Sequence, residues 1–301
     1  MAATDRLAAA VADALAQAGM GGASSMSRLP VGMSNAVFEV TLADGGRVVA
    51  RASSVAKNRY AMERDVMDRA RSAGVACPEV YAIETVDDLA VMLIEHIPGS
   101  RLGESRDGPQ LVGQCGEILA LIHGIDVTGF GSLTDAGEGE GDALERWFID
   151  DFEHAFRTAT DAGDNEIRAA VGRTWVAFDS ARPLLRAARC ALAHGDFSPT
   201  NILVDEGRVT AVLDWESAKA GPAAFDFGWW DWFEAAFDVP FTCDELVTAY
   251  AMNRSVDLDE LKQMRRLVVL RILIGQIAWT ASRGQKPELK IALRRLKEAG
   301  A

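Results

Sequence analysis

Apolar and polar positions change rhythm along the chain, and the change divides it in two. The opening stretch, MAATDRLAAAVADALAQAG, breaks its apolar run with Asp5, Arg6 and Asp13. That pattern marks an amphipathic helix and argues against a signal peptide. Gly19 to Ser27 is rich in Gly and Ser and is expected as a loop. Leu29 to Leu42 predicts two short strands broken at Val31-Gly32-Met33-Ser34-Asn35. Ala43-Asp44-Gly45-Gly46 is a hairpin signal, because Gly tolerates the positive φ of tight hairpins. Arg47 to Ser53 is the return strand. Over Lys57 to Ala73 the apolar Tyr60, Met62, Val66, Met67 and Ala70 recur at helical spacing, and Gly74 closes the helix. Glu79 to Ile83 and Leu89 to Glu95 flank Val86-Asp87-Asp88 as a further hairpin. Ile97-Pro98-Gly99 then punctuates the chain.

From Gln110 onward the helical period dominates. Leu111 to His123, Leu144 to Thr158, Glu166 to Ala181, Leu246 to Asn253, Leu258 to Thr280 and Glu288 to Glu298 all carry it. The exception is Ala191 to Leu213, where β-type runs at Asn201 to Val204 and Val209 to Leu213 flank the turn Asp205-Glu206-Gly207. No solenoid repeat is present. The pattern predicts an α+β chain with a β-rich part over residues 1–97 and a larger helical part over 98–301.

Half of the residues are apolar and a quarter are charged, which is ordinary globular usage. The formal charge of −13 repels phosphate polymers and anionic lipid, so neither nucleic acid nor membrane is an expected partner. Four cysteines without a CxxC pair and four histidines without HxxxH or HExxH spacing argue against a disulfide scaffold or a zinc site. The most apolar stretch, Leu267 to Trp279, contains Arg271 and Gln276 and falls short of a membrane span. A cytoplasmic protein, monomeric or weakly dimeric, is expected.

The chemistry is concentrated in His194-Gly195-Asp196-Phe197-Ser198-Pro199-Thr200-Asn201 and in Val212-Leu213-Asp214-Trp215. An Asp, an Asn five residues on, and a second Asp thirteen beyond that follow the order of protein kinases, H-R-D-x-x-x-x-N and then D-F-G. The first Asp accepts the proton of the attacking hydroxyl. The Asn is a neutral oxygen ligand for Mg²⁺ and the second Asp a charged one. Mg²⁺ takes few protein oxygens, so the two suffice.

The run HGDFSPTNILVD followed by VLDWESAKAGPAAFDFG resembles the aminoglycoside phosphotransferase family of antibiotic and small-metabolite kinases, in order from Leu29 to about Trp232. The resemblance implies a bilobal protein-kinase-like fold. Its N-terminal lobe (1–97) would bind the nucleotide, and its C-terminal lobe (98–301) would carry catalysis and the acceptor. It implies ATP or GTP as phosphoryl donor and Mg²⁺ as cofactor. On this pattern Asp196 is the catalytic base, and Asn201 and Asp214 are the metal ligands. His194 and Asp226 support the catalytic loop. Arg51 stands where protein kinases place their phosphate-binding Lys, with Glu63 as its ion-pair partner. Ser34 occupies the phosphate-loop position beside the single Gly32. Glu95 and Ile97 match the hinge, whose backbone C=O and N–H would pair with the nucleotide base. Gly195 replaces the kinase Arg that reads a phosphorylated loop, and Asp214-Trp215-Glu216 replaces Asp-Phe-Gly. Both departures imply a constitutively active small-molecule kinase.

Asp135 to Glu166 holds eleven acidic residues against two basic ones, Arg146 and Arg157. Asp231, Glu234 and Asp238 follow, interleaved with Trp229, Trp230, Trp232, Phe233 and Phe237. Acidic and aromatic walls suit a cationic sugar. Asp231, Glu234 and Trp230 are therefore expected at the acceptor, an aminoglycoside, with the Val209 to Gly221 segment nearest the hygromycin-type branch. A macrolide, or an amino alcohol, sugar or hydroxy amino acid, is the alternative acceptor. A nucleotide-binding pseudoenzyme ranks last, because Asp196, Asn201 and Asp214 are all present.

Overall fold

The computed structural model describes residues 3–30, 35–56, 58–105, 108–162, 165–237, 239, 241–284 and 286–299. The chain opens with helix α1 (Ala3–Gln17), strands β1 (Ala23–Arg28), β2 (Ala36–Leu42) and β3 (Arg47–Ser54), helix α2 (Tyr60–Ser72), and strands β4 (Val80–Val86) and β5 (Leu89–Glu95). The strands form one antiparallel sheet in the order β1-β2-β3-β5-β4. Burial in β2 alternates residue by residue, as one-sided cover requires. By contrast β5 is buried up to its last residue, because helices lie on both faces. On one face Val11, Ala14 and Leu15 of α1 pack with Phe38, Val40, Val48, Val91 and Leu93. On the other, Tyr60 of α2 packs with Ala90, Met92 and Ile94.

Strand β1 corrects the loop expected over Gly19 to Ser27. Its residues, Ala-Ser-Ser-Met-Ser-Arg, are almost all exposed, and backbone pairing to β2 at the sheet edge holds it. An edge strand without a buried face shows no apolar alternation to read. Of the two strands expected over Leu29 to Leu42, one is found, β2. The phosphate-loop residue Ser34 lies outside the described residues.

The remainder of α2 faces away from the sheet. Met62, Val66, Met67 and Ala70 belong to the large core of the C-terminal region, with Leu111, Cys115 and Leu119. This region contains β6 (Ser100–Arg101), α3 (Gly108–Ile122), β7 (Phe130–Leu133), β8 (Gly139–Gly141), α4 (Leu144–Ala162), α5 (Asn165–Ser180) and α6 (Arg182–Ala187). It continues through β9 (Ala191–Ala193), β10 (Ile202–Asp205), β11 (Arg208–Val212) and β12 (Lys219–Gly221), then α7 (Ala224–Ala236), α8 (Cys243–Asn253), α9 (Leu258–Arg283) and α10 (Lys286–Glu298). The hairpin β10–β11 forms as expected, and β6 extends it. Its turn places Glu206 at φ 46° and Gly207 at φ 73°, matching the right-handed twist of the strands. A second small sheet runs β8-β7-β12-β9.

Helix α7, AFDFGWWDWFEAA, has no polar face to reveal its period and was not marked by the pattern. It is hydrophobic nearly all round because it is buried nearly all round. Phe148 and Phe152 of α4 stack on Phe178 of α5, with the Phe152 and Phe178 ring centroids 3.9 Å apart. All four cysteines are free thiols. Among the described residues no helix is long and apolar enough to cross a membrane.

Helices α3 and α8 meet most closely at Gly116, where a Cβ would stand 2.6 Å from the Ala249 backbone. Gly113, on the same helix, has open space around its Cβ position. Gly116→Val is expected to lower stability by about 2–3 kcal/mol through overpacking. Gly113→Val should stay within about 0.5 kcal/mol of wild type. Urea unfolding of both variants checks this, and equal effects would contradict the packing described.

Candidate active site

The loop from His194 to Asn201 hangs between β9 and β10 and is fixed from two directions. From α7, the buried carboxylate of Asp226 accepts the N–H of His194 at Oδ2 (3.0 Å) and the N–H of Gly195 at Oδ1 (2.7 Å). Asp226 Oδ2 also accepts from His123 Nε2 of the segment after α3 (2.9 Å). His123 Nδ1 in turn lies 3.1 Å from the hydroxyl of Tyr250 on α8. Burial works against the Asp226 charge, but these donors and the nearby histidines hold its carboxyl below the usual range.

Just after β11, Leu213 clamps the loop at both ends. Its N–H donates to the Asn201 C=O (2.8 Å), and its C=O accepts from His194 Nε2 (2.9 Å). A carbonyl can only accept, so Nε2 carries the hydrogen. The other nitrogen, Nδ1, is left to accept the Asp196 N–H (3.3 Å). Burial lowers the His194 pKa, and both ring nitrogens are engaged. The imidazole thus joins the loop to Leu213.

Gly195 sits at φ 82°, and a Cβ there would fall 2.0 Å from the Ser217 C=O and 2.7 Å from Lys219 Cε. Both facts require glycine.

Asp196 and Asn201 are clasped together. Asn201 Nδ2 donates to Asp196 Oδ2 (2.9 Å) and to its backbone C=O (3.0 Å). Oδ1 of Asp196 and Oδ1 of Asn201 accept from none of the described residues. Burial first, and Asp214 second, push the Asp196 carboxyl up to about 7.

Asp214 follows Leu213 directly. Its backbone is left-handed (φ 64°, ψ 63°), a conformation that costs a non-glycine residue about 1 kcal/mol or more. Its Oδ1 accepts from Arg51 Nη2 (3.0 Å), and Oδ2 accepts from none of the described residues.

Arg51 of β3 reaches across to this motif. Nη1 donates to Glu63 of α2 (2.5 Å), and Nη2 donates to Asp214 and to Glu216 (3.2 Å). Arg51 is 7% and Glu63 1% exposed, so the pair is buried. Burial disfavours the Arg51 cation, but the carboxylates outweigh it and hold its pKa above the ordinary range. In the linker after β5, the Ile97 N–H donates to none of the described residues. Glu95 lies one pairing step from the end of β3, opposite Val48, and its side chain accepts the Glu79 N–H (3.2 Å).

The structure thus gathers Asp196, Asn201, Asp214, Arg51, Glu63, His194 and Asp226 at one place. The three expected acceptor residues, Trp230, Asp231 and Glu234, have packing, ion-pair and hydrogen-bond partners of their own. Trp230 is fully enclosed and stacked on Phe197. Asp231 is ion-paired to Arg295 and, at 3.9 Å, to Arg265, joining α7 to α10 and α9. Glu234 accepts the Cys243 N–H (2.7 Å) at the start of α8. Their side chains bind helix to helix, and Asp238 lies outside the described residues.

The acidic stretch from Asp135 is also partly neutralised. Glu145 is paired with Arg182 and Arg186, Asp151 with Arg271, and Asp142 with Arg146.

Two members of the site escaped the sequence reading. His123 is an isolated histidine in the chain and becomes a loop support only because the fold brings the end of α3 to Asp226 of α7 and Tyr250 of α8. Glu216 was visible as a departure from Asp-Phe-Gly, but nothing in its spacing indicated its partners.

The phosphotransferase enzyme family matches residues 25–259. Hygromycin-B 4-O-kinase of Escherichia coli is 26% identical over 269 residues, which cover 84% of this chain and 74% of that protein. A thermostable mutant of aminoglycoside phosphotransferase APH(4)-Ia, in ternary complex with AMP-PNP and hygromycin B, superposes with a TM-score of 0.80 at 20% identity, over 96% of this chain and 97% of that one. Macrolide 2'-phosphotransferase MphH of Brachybacterium faecium gives 0.64 at 18% identity, over 95% and 97%. The sheet-rich N-terminal and helical C-terminal regions are those of the protein-kinase-like aminoglycoside kinase fold. Taken with the clasped Asp196 and Asn201, these likenesses make the chain a member of the phosphotransferase enzyme family.

Proposed function

We propose that the protein transfers the γ-phosphoryl group of ATP or GTP to a hydroxyl of a small acceptor, an aminoglycoside of the hygromycin type being the first candidate. The observation that carries this reading is the locking of Asp196 and Asn201 to Asp214 through the two hydrogen bonds of Leu213. The AMP-PNP and hygromycin B complex of the APH(4)-Ia mutant supports the choice of donor and acceptor. The division of the chain at 97/98 then separates the part that would hold the nucleotide from the part that would hold the acceptor.

Asp196 Oδ1 takes the proton of the acceptor hydroxyl. The acceptor oxygen bonds to Pγ as the bond from Pγ to the β-phosphate oxygen breaks, and the nucleoside diphosphate leaves. Asn201 holds the other Asp196 oxygen, Oδ2, so the base is aimed before substrate arrives.

The free oxygens, Oδ1 of Asn201 and Oδ2 of Asp214, are a hard donor pair that fits Mg²⁺, which keeps its remaining ligands from water and phosphate. When bound, the ion neutralises charge on the phosphates. Glu63 keeps Arg51 extended toward the same place, and the free Ile97 N–H is available to the nucleotide base. The arginine-paired acids of α4 favour a less cationic acceptor, such as a macrolide or an amino alcohol, sugar or hydroxy amino acid, as the second reading.

Asp196→Ala should lose about 10²- to 10⁴-fold in turnover while still binding nucleotide. Near-normal turnover in the folded variant would remove Asp196 from the role of base. Chelation of Mg²⁺ should abolish transfer, and Asp214→Asn should need more metal than wild type. An Asp214→Asn titration that matches wild type would place the ion elsewhere.

Steady-state kinetics with hygromycin B, a kanamycin, a macrolide and choline test the acceptor. A steered cation gives kcat/KM that falls as salt rises, because the Debye length is only about 8 Å at physiological ionic strength. Turnover of a macrolide alone, with a flat salt response, would replace the aminoglycoside.

A further inference from the structure

Glu216 has no part in the transfer described above, yet it is built into the site. Its Oε2 accepts from Asn35 Nδ2 (2.7 Å) and from Arg51 Nη2 (3.2 Å). Asn35 is held in turn by the Tyr60 hydroxyl, which donates to its Oδ1 (3.1 Å). The two hydrogens of Arg51 Nη2 are divided between Asp214 and Glu216, while Nη1 is held by Glu63. The face of Arg51 that turns toward the metal motif is therefore fully occupied, and every occupant is a carboxylate. Glu63, Asp214 and Glu216 all stand against the one Arg51 guanidinium, with Arg101 a second cation within electrostatic reach of Asp214.

Phosphate oxygens that approach Arg51 must take one of these hydrogens. Asp214 is needed at its place by the metal. Glu216 is the carboxylate that can give way, because it keeps its bond from Asn35 and is not left unpaired.

Resting on the nucleotide site proposed above, we propose that Glu216 is a specificity-determining residue for the nucleotide. It occupies Arg51 in place of phosphate, and its charge admits a nucleoside di- or triphosphate in metal-bound form and rejects the metal-free polyanion.

Calorimetric titration of the full chain with ADP, once with Mg²⁺ and once in excess EDTA, tests this. Wild type, Glu216→Gln and Glu216→Ser are compared, with a thermal melt of each to confirm folding. Loss of one negative charge at this range should tighten metal-free ADP by about tenfold in both variants and change Mg²⁺–ADP by less than about threefold. The preference for the metal-bound form thus falls about tenfold. The serine variant carries the same expectation if the glutamine variant does not fold.

An unchanged preference overturns the proposal. So does weaker Mg²⁺–ADP binding in the variants, which would make Glu216 a support or a metal ligand and not a competitor. Failure of both variants to fold overturns it as well, by making Glu216 a structural necessity. If wild type binds ADP under neither condition, the nucleotide site itself falls, and that result is distinct from an unchanged preference.

Discussion

One buried carboxylate organises the catalytic loop. A charge taken out of water is tolerable only when donors replace the lost hydration. Asp226 has three, and two of them are the consecutive N–H groups of His194 and Gly195. The two backbone donors must converge on one carboxyl group, which holds the chain at the left-handed Gly195. That bend turns Asp196 toward Asn201 and places the His194 ring against the Leu213 carbonyl. The third donor, His123, anchors Asp226 to α3 and, through Tyr250, to α8. The position of Asp196 therefore depends on contacts that reach α3, α7 and α8.

The nucleotide side is organised by a different balance. Arg51 is surrounded by three carboxylates that hold its guanidinium by hydrogen bonds. An arginine so placed is held in one orientation by carboxylates that mimic phosphate. Preorganisation of this kind would lower the ordering cost of the phosphate contact proposed for Arg51. Asp214 adds strain to the same small volume, because its left-handed backbone persists only where neighbours over-determine it.

Legibility in the sequence followed the range of the interactions. The Asp196, Asn201 and Asp214 pattern was readable because a hairpin fixes the spacing between them, and β10–β11 forms where the alternation placed it. Arg51 and Glu63 were readable because strand and helix follow each other in a fixed order. Helix α7 was not, since uniform burial erases the amphipathic period, and β1 was not, since an exposed edge strand has no period to show. The acceptor residues are hard to read for a related reason. Aromatic and acidic side chains look alike in sequence whether they face a ligand or tie helices together, as the Asp231–Arg295 ion pair does. Only the packing distinguishes the two.

Helix α2 bridges two separate cores, and this limits how the molecule can breathe. Its Met62, Val66 and Met67 are embedded with the C-terminal helices, whereas Arg51 rides on the N-terminal sheet. The Arg51–Glu63 ion pair therefore crosses the seam between two bodies. Wide rocking of the sheet would pull that buried pair apart. The cheap motions are small ones that slide the sheet while the pair stays closed. Separating the sheet from the C-terminal region would therefore break a buried ion pair as well as apolar contact.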